Sequence, residues 1–134
     1  MERSKFNFIA SMLYDYPHID TYVKQRTEEL MYPYNPNQDE NIGGGRSSVI
    51  DMPVERMAIN IATDRRLTTL ERNKKIIDQC LDQCNGETYK IIDTVYFKRA
   101  KSVEGVAMTI PLSASQARRL RQQFFERVAD ELGI

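Results

Sequence analysis

Arg118 and Arg119 stand with Ser115, Gln116 and Gln122 in a stretch that carries no acid before Glu126. These side-chain types read base edges in the major groove. Arginine pairs bidentately with guanine, glutamine with adenine, and serine with either. Lys98, Arg99 and Lys101 lie upstream on a short basic connection. Such a cluster suits backbone anchoring, because a duplex carries one phosphate charge per ~1.7 Å of axis and each neutralised phosphate releases counterions. From Phe97 to Phe125 six cations (the five named here and Arg121) face the single acid Glu104, a local net charge of +5. No other chemistry suggests itself. One histidine, His18, scattered carboxylates and two cysteines offer no nucleophile–base pair, so an enzyme is not expected.

The elements that would position these side chains are helical. A short apolar segment, Val103 to Ile110, meets a corner at Pro111-Leu112, and a long helical pattern runs from Ser113 to Leu132. Ser102 can N-cap the short helix. Ser113 and Gln116 make a Ser-x-x-Gln capping box, which adds Ser113 to the candidate contact residues at the helix front, and Gly133 closes the helix. Ala117, Leu120, Phe124, Val128 and Leu132 share one face, which would dock on Val106, Ala107 and Ile110. This is the layout of a helix-turn-helix: a positioning helix, a tight corner and a recognition helix. An ordinary helical hairpin with Arg and Gln as surface helix formers shares the pattern. Helix-turn-helix corners often carry glycine, whereas Pro111 stands here and its fixed φ forbids the left-handed conformation, so the turn is one that tolerates proline or the register differs by a residue or two.

The remainder also reads as helix. Phe6, Ile9, Leu13 and Tyr16 recur at helical spacing, and Ile19, Val23 and Leu30 follow beyond Pro17, which suits the first turn of a second helix. Residues 32–53 hold Pro33, Pro36, Pro53 and Gly43-Gly44-Gly45 and read as a loop. The glycines and Arg46-Ser47-Ser48 lack the Lys-Ser/Thr ending of a phosphate loop, so a linker is preferred. A long central helix is expected over 54–84. Its apolar stripe is interrupted at Asp64-Arg65-Arg66 and resumes as a heptad-like seam of Leu67, Leu70, Ile77, Leu81 and Cys84. That seam suits packing within the chain, or a homodimer. Asn85-Gly86 is expected to end it as a left-handed cap, and Tyr89, Ile92, Asp93, Tyr96 and Phe97 give a further helix to about Arg99.

The fold class is therefore all-α. An N-terminal helical region spans 1–85 and a C-terminal helix-turn-helix domain 86–134. Over 134 residues the charges balance, 19 against 19, so any affinity for a polyanion must be local. The first 45 residues are net −3. No signal peptide or membrane span is read, and a cytoplasmic place is expected. No cofactor or metal is indicated. Cys80 and Cys84 read as core-side thiols rather than zinc ligands.

Several stretches taken together resemble the RinA-type phage late-gene transcription activators of Gram-positive hosts. They are Tyr14-Asp15-Tyr16-Pro17, Glu28-Glu29-Leu30-Met31, Asn41-Ile42-Gly43-Gly44-Gly45-Arg46, Glu55-Arg56-Met57-Ala58, Tyr96-Phe97, Arg118-Arg119-Leu120-Arg121 and Ala129-Asp130-Glu131-Leu132-Gly133. The resemblance implies a C-terminal part similar to the helix-turn-helix of sigma-factor region four. It also implies binding to a double-stranded phage promoter and activation of packaging and structural genes. Host RNA polymerase is then a partner to consider. The acidic N-terminal helices and the exposed side of 54–84 are candidates for that contact or for self-association. Removal of the first 31 residues is accordingly expected to spare DNA binding. The competing functions are a DNA-packaging adaptor of small-terminase type and a helical oligomeric structural protein.

Overall fold

The computed structural model describes residues 1–32 and 53–134. Every regular element among them is helical. The loop expected at 32–53, with its glycine run, lies almost wholly outside the described residues. In chain order the elements are α1 (Arg3–Asp15), a 3-10 turn (Tyr16–His18), α2 (Ile19–Met31), α3 (Val54–Thr63), α4 (Arg65–Gln83), α5 (Gly86–Ile92), a π-helical turn (Asp93–Phe97), α6 (Val103–Thr109) and α7 (Ala114–Leu132). None of these helices is long and apolar enough to cross a membrane.

Two compact units result, and they alternate along the chain. One comprises Met1–His18 with Arg72–Ile134, the other Ile19–Glu71. The division suggested by the sequence, 1–85 against 86–134, does not follow these units, because α1 shares a core with α7.

In the first unit, Ile9 and Leu13 of α1, Ile77 and Cys80 of α4, Ile92, and Phe125 and Val128 of α7 form the main core, all essentially inaccessible to solvent. Each of the aliphatic and aromatic side chains among them contributes about 1.5–3 kcal/mol on leaving water. Phe125 sits at the centre, its ring 4.6 Å from Phe6 and 5.4 Å from Tyr96 between centroids. Ile91, Val103, Val106, Ala107, Ile110 and Ala117 form a second cluster. Neighbours on a helix point about 100° apart, so adjacent Ile91 and Ile92 enter different clusters and α5 serves both. Tyr89, expected on the apolar face, is instead nearly half exposed.

The helix expected from Tyr89 to about Arg99 changes hydrogen-bond pattern on the way. Lys98 N donates to Asp93 O at 2.8 Å, an i→i+5 bond that defines the π turn. Its exit places Arg99 at φ 52, the one described non-glycine residue with positive φ. Asn85-Gly86 does not form a left-handed cap. Asn85 is extended (φ −77, ψ 169) and its Oδ1 accepts Thr88 N at 2.8 Å, so it starts α5 rather than closing α4. An Asn N-cap satisfies an otherwise orphaned donor, which a left-handed Asn in that place would not.

Pro17 falls within the 3-10 turn rather than the first turn of α2. The side chain of the preceding residue fixes this turn. Tyr16 stacks on Phe97 at 4.7 Å, and its hydroxyl donates to Asp78. Burial first, and then the Asp78 carboxylate, push the Tyr16 phenol well above its ordinary range.

The second unit shows that the continuous helix expected at 54–84 is two helices. Asp64 is extended (φ −67, ψ 125) between α3 and α4. Its Oδ2 accepts Leu67 N at 3.0 Å, so Asp64 caps α4. Arg26 of α2 also grips it bidentately, Nη2 to Oδ1 at 2.8 Å and Nε to Oδ2 at 3.2 Å. Aspartate is a poor helix-interior residue and a strong cap. With a guanidinium available to its carboxylate, the break outcompetes continuity. The Arg26 contacts, reinforced by the Leu67 amide, hold the Asp64 carboxyl down at about 2.

The seam read from the sequence divides accordingly. Ile77, Leu81 and Cys84 pack into the core of the first unit, while Leu67 is buried as part of the second. Both cysteines are free thiols, and burial pushes that of Cys80 up to about 11.

Candidate nucleic-acid interface

The site rests on the α6–α7 corner. Ser102 Oγ accepts Gly105 N at 3.1 Å and starts α6. Ile110 leaves α6 extended (φ −113, ψ 147), the conformation favoured before proline. Leu112 N then donates to Ile110 O at 2.6 Å across Pro111. That i→i+2 bond makes an inverse γ-turn, whose central φ near −75° matches the proline ring. The corner needs no glycine because it uses no left-handed residue. Ser113 and Gln116 then close a full capping box, Oγ to Gln116 N at 3.1 Å and Ser113 N to Oε1 at 3.0 Å. At the far end Gly133 is left-handed at φ 78.

The back of α7 is sealed by Ala117, Phe124, Phe125 and Val128, all buried. Ser115, Arg118, Arg119 and Gln122 recur at i, i+3, i+4 and i+7 and so share the opposite face. Ser115, Arg118 and Arg119 are exposed, and Gln122 is half-buried with its Nε2 on Glu126 Oε1 at 3.1 Å. Arg118 Nη1 lies 3.5 Å from Glu104 Oε1 of α6, both side chains about half exposed at 52 and 55%. Arg119 makes no ion pair among the described residues. Ser113 and Gln116 spend their side-chain oxygens on the cap, which leaves the Gln116 amide nitrogen as the group facing outward.

On the upstream connection, Lys98 Nζ is 3.1 Å from Asp93 Oδ2, and Lys101 is exposed. Arg99 lays its guanidinium 4.4 Å from the centroid of the Tyr14 ring. Arg121, counted in the local charge, does not belong to the exposed ridge. It is half-buried, stacks 5.1 Å from the centroid of Phe6, and its Nε is buried without a hydrogen-bond partner. Burial raises the Tyr96 phenol, and Arg121 pulls it back down. The reason is angular: position 121 is four residues from Ala117 and four from Phe125, at the margin of the apolar stripe. Its spacing from those residues was the available signal.

Two arginine–aromatic contacts thus tie α1 to the cationic side, Phe6 to Arg121 and Tyr14 to Arg99. Between them lies a groove of about 490 Å³, bordered by Tyr14, Ser102, Glu104 and Arg121 among others. The start of α6, α1 and Arg121 of α7 therefore border one groove of the unit. The part played by α1 and the Glu104–Arg118 pair could not be read from local patterns, because both are contacts between distant segments.

A family profile described as "Protein of unknown function (DUF722)" matches residues 6–130. The "Transcriptional activator rinA" of Staphylococcus phage phi11 is 30% identical over 125 residues, covering 90% of this chain and 85% of that protein. The chain belongs to the RinA-type family. No solved structure matches it. For this RinA-type chain the match takes in most of α1 and α7 and every element described between them, so the likeness does not rest on the corner alone.

Proposed function

We propose that this RinA-type chain is a phage transcriptional activator that recognises promoter DNA with α7. The observation that carries this reading is the two-faced character of α7. Its back is sealed in the core, and its front presents Ser115, Arg118 and Arg119 to solvent. The relative from phage phi11, an activator by name, supports the same reading. In it, the helix-turn-helix is of sigma-region-four type and lies within 86–134, and α7 enters the major groove with the Arg118 and Arg119 forks on base edges. Lys98, Arg99 and Lys101 hold phosphates, Ser113, Gln116 and Gln122 supplement the contacts, and the regulated genes are the late packaging and structural set. No step requires an enzyme's nucleophile. The second unit, with acidic Glu28 and Glu29 on α2, is the surface for polymerase or self-association.

Arg118→Ala with Arg119→Ala should abolish binding to the phage's own late-promoter fragment while leaving helicity unchanged. Full affinity in that double variant, at matched salt, would sink the reading. Lys101→Ala should instead weaken all duplexes alike and reduce the salt slope by about one. Light scattering on the purified chain separates an activator, a monomer or dimer, from a ring-forming packaging adaptor.

A further inference from the structure

Glu104 is out of place on a surface that meets a polyanion. It is the single acid between Phe97 and Phe125, and a carboxylate repels any phosphate within about a Debye length, ~10 Å at 0.1 M salt. Its place in the first turn of α6, where a carboxylate favours the positive end of the helix dipole, accounts for an acid there but not for its partner. Ser102 already caps α6 through Gly105 N, and the position that would complete a capping box is Gly105 itself, which has no side chain. The polar contact the Glu104 side chain makes is with Arg118, across the corner on the other helix.

That contact has the properties of a latch. Both partners are about half exposed and 3.5 Å apart, which makes the pair weak and readily exchanged. A random phosphate offers Arg118 one more anion in exchange for the carboxylate it already has. A guanine offers its planar fork two acceptors, O6 and N7, in bidentate geometry. We propose that Glu104 is a specificity-determining positioning residue: its ion pair withholds Arg118 from DNA of random sequence and releases it to a guanine. A repulsive element aimed at the wrong partner is a general way to raise discrimination. The proposal rests on α7 being the recognition helix, and its sign is opposite to that of every cation around it.

The test uses the full chain. A duplex is selected by the wild type from a random pool. Affinities for that duplex and for a scrambled one of equal length are then measured over a salt series. Glu104→Gln should bind the scrambled duplex about 3- to 10-fold more tightly, with a salt slope steeper by about 0.9. It should gain little on the selected duplex, so the ratio of the two affinities falls about threefold or more. In an Arg118→Ala background the same change should leave that ratio untouched. A structural role alone would not give this pattern, and Glu104→Ala should repeat it if Glu104→Gln is compromised in folding. Equal tightening on both duplexes would reduce Glu104 to bulk charge and overturn the proposal, as would an unchanged ratio in the wild-type background. If the wild type selects no duplex at all, the DNA-binding reading fails first and the proposal falls with it.

Discussion

The two units of this chain hold together by different means. The unit of Met1–His18 and Arg72–Ile134 buries apolar side chains from α1, α4, α5, α6 and α7 in two adjoining clusters. Among the described residues of Ile19–Glu71, Ile19 and Leu67 alone are buried, while Val54 and Ile59 are 79 and 61% exposed. There the visible fastening is polar: Arg26 on Asp64, Arg26 on Glu29 at 3.0 Å, and Asp64 on the Leu67 amide. The difference teaches where precision is needed. On the reading proposed above α7 enters a DNA groove, which asks for a rigidly held helix, and dense apolar packing provides that. A surface for a protein partner can leave apolar residues uncovered.

Removing the first unit's share of α1 should do the most damage. Deleting residues 1–18 takes Ile9, Leu13 and the Phe6 ring from the core that backs α7. Loss of both cooperative unfolding and DNA binding is the expected outcome, read by circular dichroism and mobility shift. This reverses the expectation that the first 31 residues are dispensable for DNA binding. A deletion that still bound DNA would show that α7 does not need this core.

Phe125→Ala should cost about 3–5 kcal/mol in urea denaturation, from lost burial and the cavity left behind. A loss below about 1 kcal/mol would mean that the main core is less well packed than Phe125 implies.

Native-state hydrogen exchange addresses the contrast directly. Amides in α2 and α3 should exchange roughly a hundredfold or more faster than those in the middle of α7, because local opening is least costly where little apolar area is buried. Equal protection would erase the distinction between the units.

Acid should act on the second unit through Asp64. Its carboxyl lies at about 2 in the fold, below its ordinary 3.8. Its stabilising effect is therefore present above about pH 4 and is lost as pH falls towards 2. Leu67 and Thr68 amide protection, followed from pH 5 to pH 2, should drop in that window in the wild type. In Asp64→Ala it should be lower throughout and flat, and a wild-type profile without the drop would show that the ionised carboxylate does not hold the start of α4.

The smallest effect is expected at Gly105. A Cβ there would sit 3.4 Å from Lys101 Cβ and Ser102 Oγ, an ordinary contact. Gly105→Ala should therefore stabilise by about 0.5–1 kcal/mol in thermal melts, with destabilisation pointing to a tighter α6 than the contacts suggest.

The sequence by itself determined what is governed within one or two helical turns. Ser102 caps α6 and the Ser113–Gln116 box starts α7 as their spacing foretold, since those bonds form between residues three apart. Ala117, Phe124 and Val128 face inward for the same reason, the fixed angle between successive side chains. The tertiary structure decided what depends on distant partners. Asp64 breaks a helix because Arg26 reaches it, and Arg121 turns from the cationic ridge because Phe6 lies beside it. Glu104 meets Arg118 only once the corner at Pro111 brings two helices together. Local chemistry names the groups that could act, but burial and pairing, which are properties of the folded whole, determine which of them remain free to do so.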